Sequence, residues 1–161
     1  MIEFKTAVLV GAAMQMGAII AKASTKDQNA IYEFGKNLGI AFQLQDDYLD
    51  AFGDPKKFGK QVGGDIIENK KTYLYLKARA FSDETNKMNL EGLFSQATNN
   101  KEDKIRQVKH IFEKSGAVKA TQNEIEHYTK KAFAVLENLN ISNAKKLVLR
   151  EFGQQLMNRN V

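Results

Sequence analysis

Apolar positions recur along this chain with helical spacing, and the longest apolar stretch stands near its start. A helix formed by the stretch Phe4–Ala23 would be apolar on almost every face, and only Gln15 interrupts the apolar run from 7 to 21. A helix that is apolar on every face belongs in the middle of a bundle. Later stretches without glycine or proline leave little room for strands. The pattern therefore predicts an all-α helical bundle that forms a single domain over residues 1–161.

The rest of the chain shows the narrower apolar stripes of helices that pack on one side. A second helix is predicted over Asp27–Ala51, because Gly53 and Pro55 follow it as breakers. Later stripes predict helices at residues 84–98, 101–114 and 117–139, and a last helix capped by Ser142. We interpret the apolar residues of these stripes as core, including Met88, Leu147 and Phe152.

The apolar first segment has two other interpretations. Its fifteen residues from 7 to 21 are fewer than the roughly 20 that a transmembrane helix needs, so stable membrane insertion is not expected. A signal peptide would use Lys5 as its charged region, residues 7–20 as its apolar region and residues 21–23 as a cleavage site. Glu3 and Gln15 weaken that interpretation.

Composition narrows the chemistry without choosing a ligand. The chain has 161 residues, one proline, no cysteine and a formal net charge of +5. Without cysteine, any catalytic or ligand-binding chemistry must be carried out by carboxylates, lysines, hydroxyls, amides or the two histidines. His110 and His127 have no neighbouring carboxylates that suggest a ligand set, so we interpret them as ordinary side chains. The basic excess suits anionic ligands, but the lysines are spread over most helices, so no nucleic-acid-binding face is predicted.

The end of the second predicted helix carries a concentrated acidic face. At 100° per residue, Gln43, Asp46, Asp47 and Asp50 share one face, with Asp46 and Asp50 four residues apart. These carboxylates repel each other, and near a helix C-terminus they also oppose the helix dipole, so a cation between them is expected. Such hard oxygen ligands suit Mg²⁺, which is commonly shared with substrate phosphates. The alternative is a solvated acidic helix face.

A basic, glycine-rich loop follows directly, over residues 53–65. Asp65 is predicted to cap a third helix, with Glu68 at the capping-box position and Lys70 and Lys71 in the early turns. Lysines placed in this way can fold over metal-bound phosphates and neutralise the charge of a leaving group. The alternative is an ordinary solvated basic loop.

Three motifs, by their order and spacing, resemble the C-terminal half of the trans-isoprenyl diphosphate synthases, the polyprenyl synthetase family. The resemblance is strong over residues 4–76. From there to the end of the sequence it consists of a helical pattern without further motifs. It implies a bundle of the isoprenoid synthase type, an enzyme that joins an allylic diphosphate to isopentenyl diphosphate, and Mg²⁺ as cofactor. The motifs are Lys5-Thr6, Phe42-Gln43-x-x-Asp46-Asp47-x-x-Asp50, and Gly59-Lys60 followed by Gly63-Gly64-Asp65 and Asn69-Lys70-Lys71-Thr72.

The resemblance implies a metal role for four carboxylates. Asp46 resembles an Mg²⁺ ligand of the family's second aspartate-rich motif, and Asp47 and Asp50 resemble its partners. Asp65 is similar to an acidic residue that holds the water shell of that metal ion.

The resemblance also implies substrate contacts. Lys5, Lys60 and Lys70 resemble lysines that contact the allylic diphosphate. Thr6 and Gln43 resemble groups whose oxygens stabilise the carbocation formed when that substrate ionises.

The departure from the family pattern concerns what this sequence does not contain. A second D-D-x-x-D string, followed in the family by arginines, is not found among the 161 residues. We therefore expect the chain to be the C-terminal half of a longer prenyltransferase, inactive by itself, cytoplasmic, and homodimeric in its full-length form. An alternative from another class is a non-catalytic basic helical binding or interaction module, which would leave the acidic face unexplained.

Overall fold

The computed structural model describes residues 2–54, 62–95 and 100–158, and within these ranges it contains helices and their connections but no strand. The all-α prediction is confirmed. The helical elements are a π-helical segment Glu3–Ala7, α1 Val8–Ile20, α2 Thr25–Phe52, α3 Gly64–Ile67, α4 Tyr73–Phe81, α5 Glu84–Ser95, α6 Lys101–Lys114, α7 Ala117–Glu137 and α8 Asn143–Met157.

The described residues form two compact units. Residues 2–45 and 124–158 form the first unit, and the described part of residues 46–123 forms the second. Helices α2 and α7 each contribute residues to both units. The sequence predicted one domain without an internal boundary, and that prediction stays open. Each unit has its own apolar core, centred on Phe34, Leu38 and Leu136 in the first unit and on Leu74, Leu90, Val108 and Phe112 in the second.

Small residues bring α1 and α2 close together in the first unit. A Cβ atom added at Gly11 would lie 2.8 Å from the carbonyl oxygen of Tyr32, and one added at Gly39 would lie 2.8 Å from Cα of Ala7. Both contacts are to backbone, which cannot move aside as a side chain can. Gly11 and Gly39 therefore serve the packing of these two helices.

The outer face of the first helical segment is exposed, so the described residues do not by themselves surround a helix whose pattern is typical of the middle of a bundle. Phe4 and Ile20 are each 80% exposed. The first unit covers the side of α1 that includes Gly11 and Met14, whereas several large apolar side chains on its other side remain exposed. The other exposed members are Leu9, Met16 and Ile19.

One helical stretch among the described residues, Glu3–Ile20, is long and apolar enough to cross a membrane, and 11% of it is buried. Core helices and signal sequences have the same length and composition. The finding therefore does not identify a membrane span.

The predicted start of the third helix is wrong. α3 begins at Gly64, its N-cap is Gly63, and no side chain caps it, so Asp65 lies inside the helix. Gly63 has a φ of +88°, and a Cβ atom there would lie 2.7 Å from Cδ1 of Ile105. The observed N-cap is thus a left-handed glycine two residues before the predicted one.

The predicted length of the third helix is also wrong. α3 ends at Ile67, and Asn69 has a left-handed φ of +56°. Lys70 and Lys71 therefore lie in the connection to α4 and not in the early turns of a helix.

The later helices agree more closely with their predictions. α6 has the predicted bounds, Lys101–Lys114, and Ser142 occupies the N-cap of α8, although its side chain makes no capping hydrogen bond. The core assignment of Met88, Leu147 and Phe152 is wrong, because these side chains are 69%, 54% and 42% exposed. At 100° per residue, Met88 lies about 160° around its helix from the buried Leu90, and Leu147 lies about 120° around its helix from the buried Gly153.

Candidate functional site

The acidic end of α2 is joined to α3 by hydrogen bonds of Asp50. Its carboxylate Oδ2 accepts a hydrogen bond from the backbone N–H of Asp65 at 2.9 Å, and its backbone carbonyl accepts one from Gly63 at 2.6 Å. Asp46, Asp47 and Asp50 are all half-buried. The second unit therefore holds the acidic face of α2 next to Asp65, the other carboxylate that the sequence indicated.

Asp50 lies in an electrostatic environment that favours a cation. Burial raises the pKa of its carboxyl above the ordinary value, the N–H of Asp65 lowers it, and the negative charges of Asp65 and Asp46 raise it. The positive charge of Lys70 partly compensates. A carboxylate with a raised pKa beside two others is stabilised by a nearby positive charge.

Lys70 supplies such a charge. Its ammonium Nζ lies 2.7 Å from Oδ1 of Asp65 and 2.8 Å from Oε2 of Glu68. Hydrogen bonds to these two carboxylates raise the pKa of Lys70 above its ordinary value, so it stays cationic at neutral pH. About half of the Lys70 side chain is exposed. The sequence pointed to Asp65 and Lys70, but it gave Glu68 only a capping role.

Two further residues next to this cluster were not recognised as site residues from the sequence. Asn69 directly precedes Lys70 and accepts a hydrogen bond from Nζ of Lys104 on α6. A signal for Lys104 existed, because it lies four residues before Val108 and seven before Ile111, on the apolar stripe of its helix.

The first unit brings two other predicted site residues together. The Thr6 hydroxyl donates a hydrogen bond to Oε1 of Gln43 at 2.9 Å, so an oxygen pair forms between the π-helical segment and α2. Lys5 beside it is exposed. The joint role that the resemblance implies for Thr6 and Gln43 stays a prediction. The remaining predicted lysine, Lys60, lies outside the described residues.

The candidate metal ligands are of the type that magnesium prefers, but they do not form a complete set of ligands. All candidate donors are carboxylate oxygens, which suit Mg²⁺, and Gly64 leaves room beside Oδ1 of Asp50, from which an added Cβ would be 3.2 Å away. In the described part of the chain, no group of three or more His, Asp or Glu side chains is arranged to hold a metal ion. The arrangement therefore suits an ion that takes one or two protein carboxylates and obtains its other ligands from water and a diphosphate.

Comparison with known proteins identifies the class of this molecule. The family model for polyprenyl synthetase matches residues 1–112. A short chain isoprenyl diphosphate synthase from Methanothermobacter thermautotrophicus is 35% identical over 146 residues, which are 91% of this chain and 44% of that protein.

Solved structures agree in fold. A crystal structure of a geranylgeranyl pyrophosphate synthase is 50% identical, with a TM-score of 0.90 over 99% of this chain and 50% of its own. The geranylgeranyl pyrophosphate synthase of Corynebacterium glutamicum, solved with isoprenyl diphosphate and magnesium, is 28% identical, with a TM-score of 0.87 over 98% of this chain and 44% of its own.

The fold is thus that of the all-α isoprenoid synthases. The chain belongs to the polyprenyl synthetase family. It spans half or less of the length of these relatives.

Proposed function

We propose that this chain supplies the second aspartate-rich Mg²⁺ site and part of the diphosphate-binding surface of a prenyltransferase. The reaction is the condensation of isopentenyl diphosphate with an allylic diphosphate to give short- to medium-chain polyprenyl diphosphates. The observation that carries the proposal is the link from Asp50 to Asp65 and from Asp65 to Lys70 in the second unit. It places carboxylates for a cation next to an ammonium group for a diphosphate.

The relatives support the same reaction class. The relative that matches 91% of this chain is named a short chain isoprenyl diphosphate synthase, and the structure from Corynebacterium glutamicum was solved with isoprenyl diphosphate and magnesium. We extend the reaction class of these relatives to this chain as part of the proposal.

The chemistry requires charge neutralisation at the diphosphate. Magnesium, when bound, supplies Lewis-acid stabilisation of the leaving diphosphate. In the second unit, Asp46 and Asp50 would hold the ion, with Asp47 as their partner and Asp65 holding its water shell. Lys70 would contact the diphosphate oxygens directly, since an ammonium group is a strong phosphate donor. Its present bonds to Asp65 and Glu68 keep it beside these carboxylates.

The first unit supplies groups suited to the allylic substrate. The oxygens of Thr6 and Gln43 lie together and would stabilise positive charge as the allylic bond ionises, while Lys5 would contact the diphosphate, as would Lys60. Near these residues α1 offers an almost entirely apolar surface. An apolar surface excludes water, which would otherwise trap the cation.

The metal face can be tested on the chain itself by ligand-dependent unfolding. If Asp46 is a ligand, Mg²⁺ with inorganic pyrophosphate should raise the free energy of unfolding, by about 2.7 kcal/mol when the free ligand reaches a hundred times its dissociation constant. Asp46→Asn should remove most of that gain. Without ligand, the variant should be as stable as the wild type or more stable, because it relieves like-charge repulsion near a helix C-terminus.

A matched control separates this effect from general loss of charge. Glu113→Gln removes one exposed carboxylate from α6 of the same unit, and its ligand-dependent gain should equal that of the wild type. Equal gains in the wild type and Asp46→Asn would contradict the assignment of Asp46. No gain in any of the three proteins would instead favour a solvated acidic face and a non-catalytic helical module.

We further propose that these 161 residues do not catalyse prenyl transfer alone. The sequence contains one D-D-x-x-D string, which serves a single metal-binding face. Incubation with Mg²⁺, isopentenyl diphosphate and dimethylallyl or geranyl diphosphate should give no elongated product, and measured turnover would contradict the expectation. Homodimerisation of the full-length protein and a cytoplasmic location stay predictions.

A further inference from the structure

Lys104 is a buried lysine whose partners are unusual. Its residue is 3% exposed, and its ammonium donates to the neutral side-chain oxygen of Asn69 and lies 5.5 Å from the centroid of the Phe94 ring. Burial lowers its pKa. Burying a charge without a carboxylate partner costs stability. A lysine at this position is thus a poor choice for packing alone, which points to the contact that it makes.

That contact falls on the residue that terminates α3. The N–H of Asn69 bonds to the carbonyl of Ile66 at 3.2 Å, and the N–H of Lys70 bonds to the carbonyl of Asp65 at 2.9 Å. These two bonds form a Schellman motif, which requires a left-handed residue at the position of Asn69. Asn69 meets the requirement with a φ of +56°, although glycine adopts this conformation at lower cost.

Lys70 is the next residue after this left-handed position. Its backbone carbonyl accepts a hydrogen bond from Thr72 at 2.9 Å, and Thr72 is the N-cap of α4. The backbone of Lys70 is therefore held on both sides, and its side chain is directed to Asp65 and Glu68. A substitution at Asn69 that disfavours a positive φ would therefore disturb the turn that places Lys70 beside Asp65 and Glu68.

We infer that Lys104 is a positioning residue for diphosphate binding. It holds the carboxamide of Asn69, keeps the left-handed turn in place, and thereby keeps the ammonium of Lys70 beside Asp65. The inference rests on the proposed function, since it assigns Lys104 a role in the site proposed there. Lys104 itself need not touch the ligand.

The first test measures binding of Mg²⁺ with inorganic pyrophosphate to the full chain by calorimetry. Lys104→Met keeps the length of the side chain and removes the donor, and it should weaken binding about tenfold, as loss of outer-shell partners typically does. Asn69→Ala removes the acceptor and disfavours a positive φ, so it should weaken binding to a similar degree. It tests the same contact if Lys104→Met does not fold.

Rescue by glycine separates positioning from direct electrostatics. In Asn69→Gly the turn no longer needs a side-chain bond to stay left-handed. Lys104→Met should therefore have little effect in that background, and the double variant should bind as Asn69→Gly does. A purely structural or purely electrostatic role of Lys104 predicts the same tenfold loss in both backgrounds, and that result would overturn the inference.

A control lysine lies on the same helix. The ammonium of Lys109 on α6 lies over the ring of Phe52, 5.1 Å from its centroid, and makes no contact with the turn among the described residues. Lys109→Met removes the same charge from the same helix and should leave binding within about twofold of the wild type. A tenfold loss here would show that charge alone explains the effect, which would also overturn the inference.

A ligand-free measurement separates failure of this inference from failure of the proposed function. Amide hydrogen exchange of Lys70 should be about tenfold faster in Lys104→Met than in the wild type, since the bond of that amide to Asp65 depends on the turn. Unchanged exchange would overturn the inference whatever the ligand does. If exchange accelerates but the wild type does not bind Mg²⁺ with pyrophosphate, the proposed function fails and the diphosphate role of Lys104 is rejected with it.

Discussion

The two units hold their helices together by different means. In the first unit, α1 and α2 approach so closely that a methyl group at Gly11 would meet backbone. In the second, rings and long side chains fill the space: the rings of Tyr75 and Phe94 pack at a tilt of 44° with their centroids 4.4 Å apart, and the ammonium of Lys104 lies over the Phe94 ring. The first unit should therefore resist added volume, and the second should suffer most from removed volume.

The difference matters for function. The first unit carries an exposed apolar surface on α1, the helix that follows Thr6, whereas the second unit keeps polar groups at defined positions around Asp50. A short helix that begins and ends at left-handed residues can hold charged groups that a longer helix would direct elsewhere. The second unit therefore carries the candidate metal site, and the first carries the apolar surface that we propose for the allylic substrate.

The largest expected effect is loss of volume in the second unit. Phe94→Ala should lower the free energy of unfolding by about 3–5 kcal/mol, because it opens a cavity between α4, α5 and α6. Phe81→Ala is the control, since Phe81 is 52% exposed and its removal should cost less than about 1 kcal/mol. Denaturant unfolding of both variants measures the difference. Equal losses would show that the second unit does not depend on its packed rings.

The next effect is added volume in the first unit. Gly11→Ala should destabilise by about 1–3 kcal/mol, because the new methyl group would meet the Tyr32 carbonyl. Gly17→Ala adds the same methyl group to the same helix, but no atom outside the helix lies within 4 Å of it. It should therefore stabilise by about 0.5–1 kcal/mol through helix propensity. Urea unfolding should show opposite signs for the two changes, and a stabilising Gly11→Ala would refute the close contact.

These contrasts show where sequence reasoning succeeds. The bounds of α6 follow from its apolar period, because Val108 and Ile111 pack on one side. The neighbourhood of Asp46 and Asp50 follows from helical spacing on α2. Both features depend on residues close together in the sequence, and both could be predicted from it.

Other features depend on contacts that spacing does not encode. The turn at Asn69 requires a left-handed residue and a lysine 35 positions later, so the sequence alone suggested a longer helix there. Periodicity showed that α1 is apolar on all faces, but it could not show which faces the chain itself covers. Periodicity likewise predicts a core position for Phe152, which is 42% exposed, because it does not show which apolar positions meet a neighbouring helix.

A smaller effect on stability, with a large effect on association, is expected on the outer face of α1. Its exposed apolar side chains should form a patch larger than the few hundred Å² common on soluble monomers, so the chain should self-associate at micromolar concentration and bind a hydrophobic dye. The double variant Leu9→Lys/Ile20→Lys should reduce both. Its stability should change by no more than about 0.5 kcal/mol, because both side chains are exposed.

The control for that patch is in the second unit. Met88→Lys replaces an exposed apolar residue on α5, away from α1 in the sequence, and should leave dye binding and sedimentation unchanged. A wild-type chain that sediments as a monomer and binds no dye at micromolar concentration would contradict the expectation.

The smallest expected effect is a pH-dependent one at the start of α2. Hydrogen bonds from the Ser24 hydroxyl and from the backbone N–H of Asn140 lower the pKa of Asp27, and the second of these joins segments 113 positions apart. A carboxyl whose folded pKa lies below its unfolded value, about 3.9, stabilises the fold above that pH. This stabilisation is lost as the pH falls through the folded pKa. Asp27→Asn keeps an acceptor but loses the charge, so it should be slightly less stable than the wild type at pH 7, with a difference that shrinks below about pH 4.

Asp83 provides the counterpart in the second unit. Hydrogen bonds from the backbone and side chain of Asn86, three residues away, lower its pKa as well, but these bonds are local to the start of α5. Asp83→Asn should follow the same pH profile, since the sign of the shift is the same. Its effect should appear as faster amide exchange in α5 alone, whereas Asp27→Asn should speed exchange both in α2 and around Asn140, because its bond connects the two. Thermal unfolding from pH 2 to 7, with amide exchange at pH 7, measures both. A difference that persists at pH 2 for Asp27→Asn, or exchange confined to α2, would show that the Asp27 carboxylate does not hold the two segments of the first unit together.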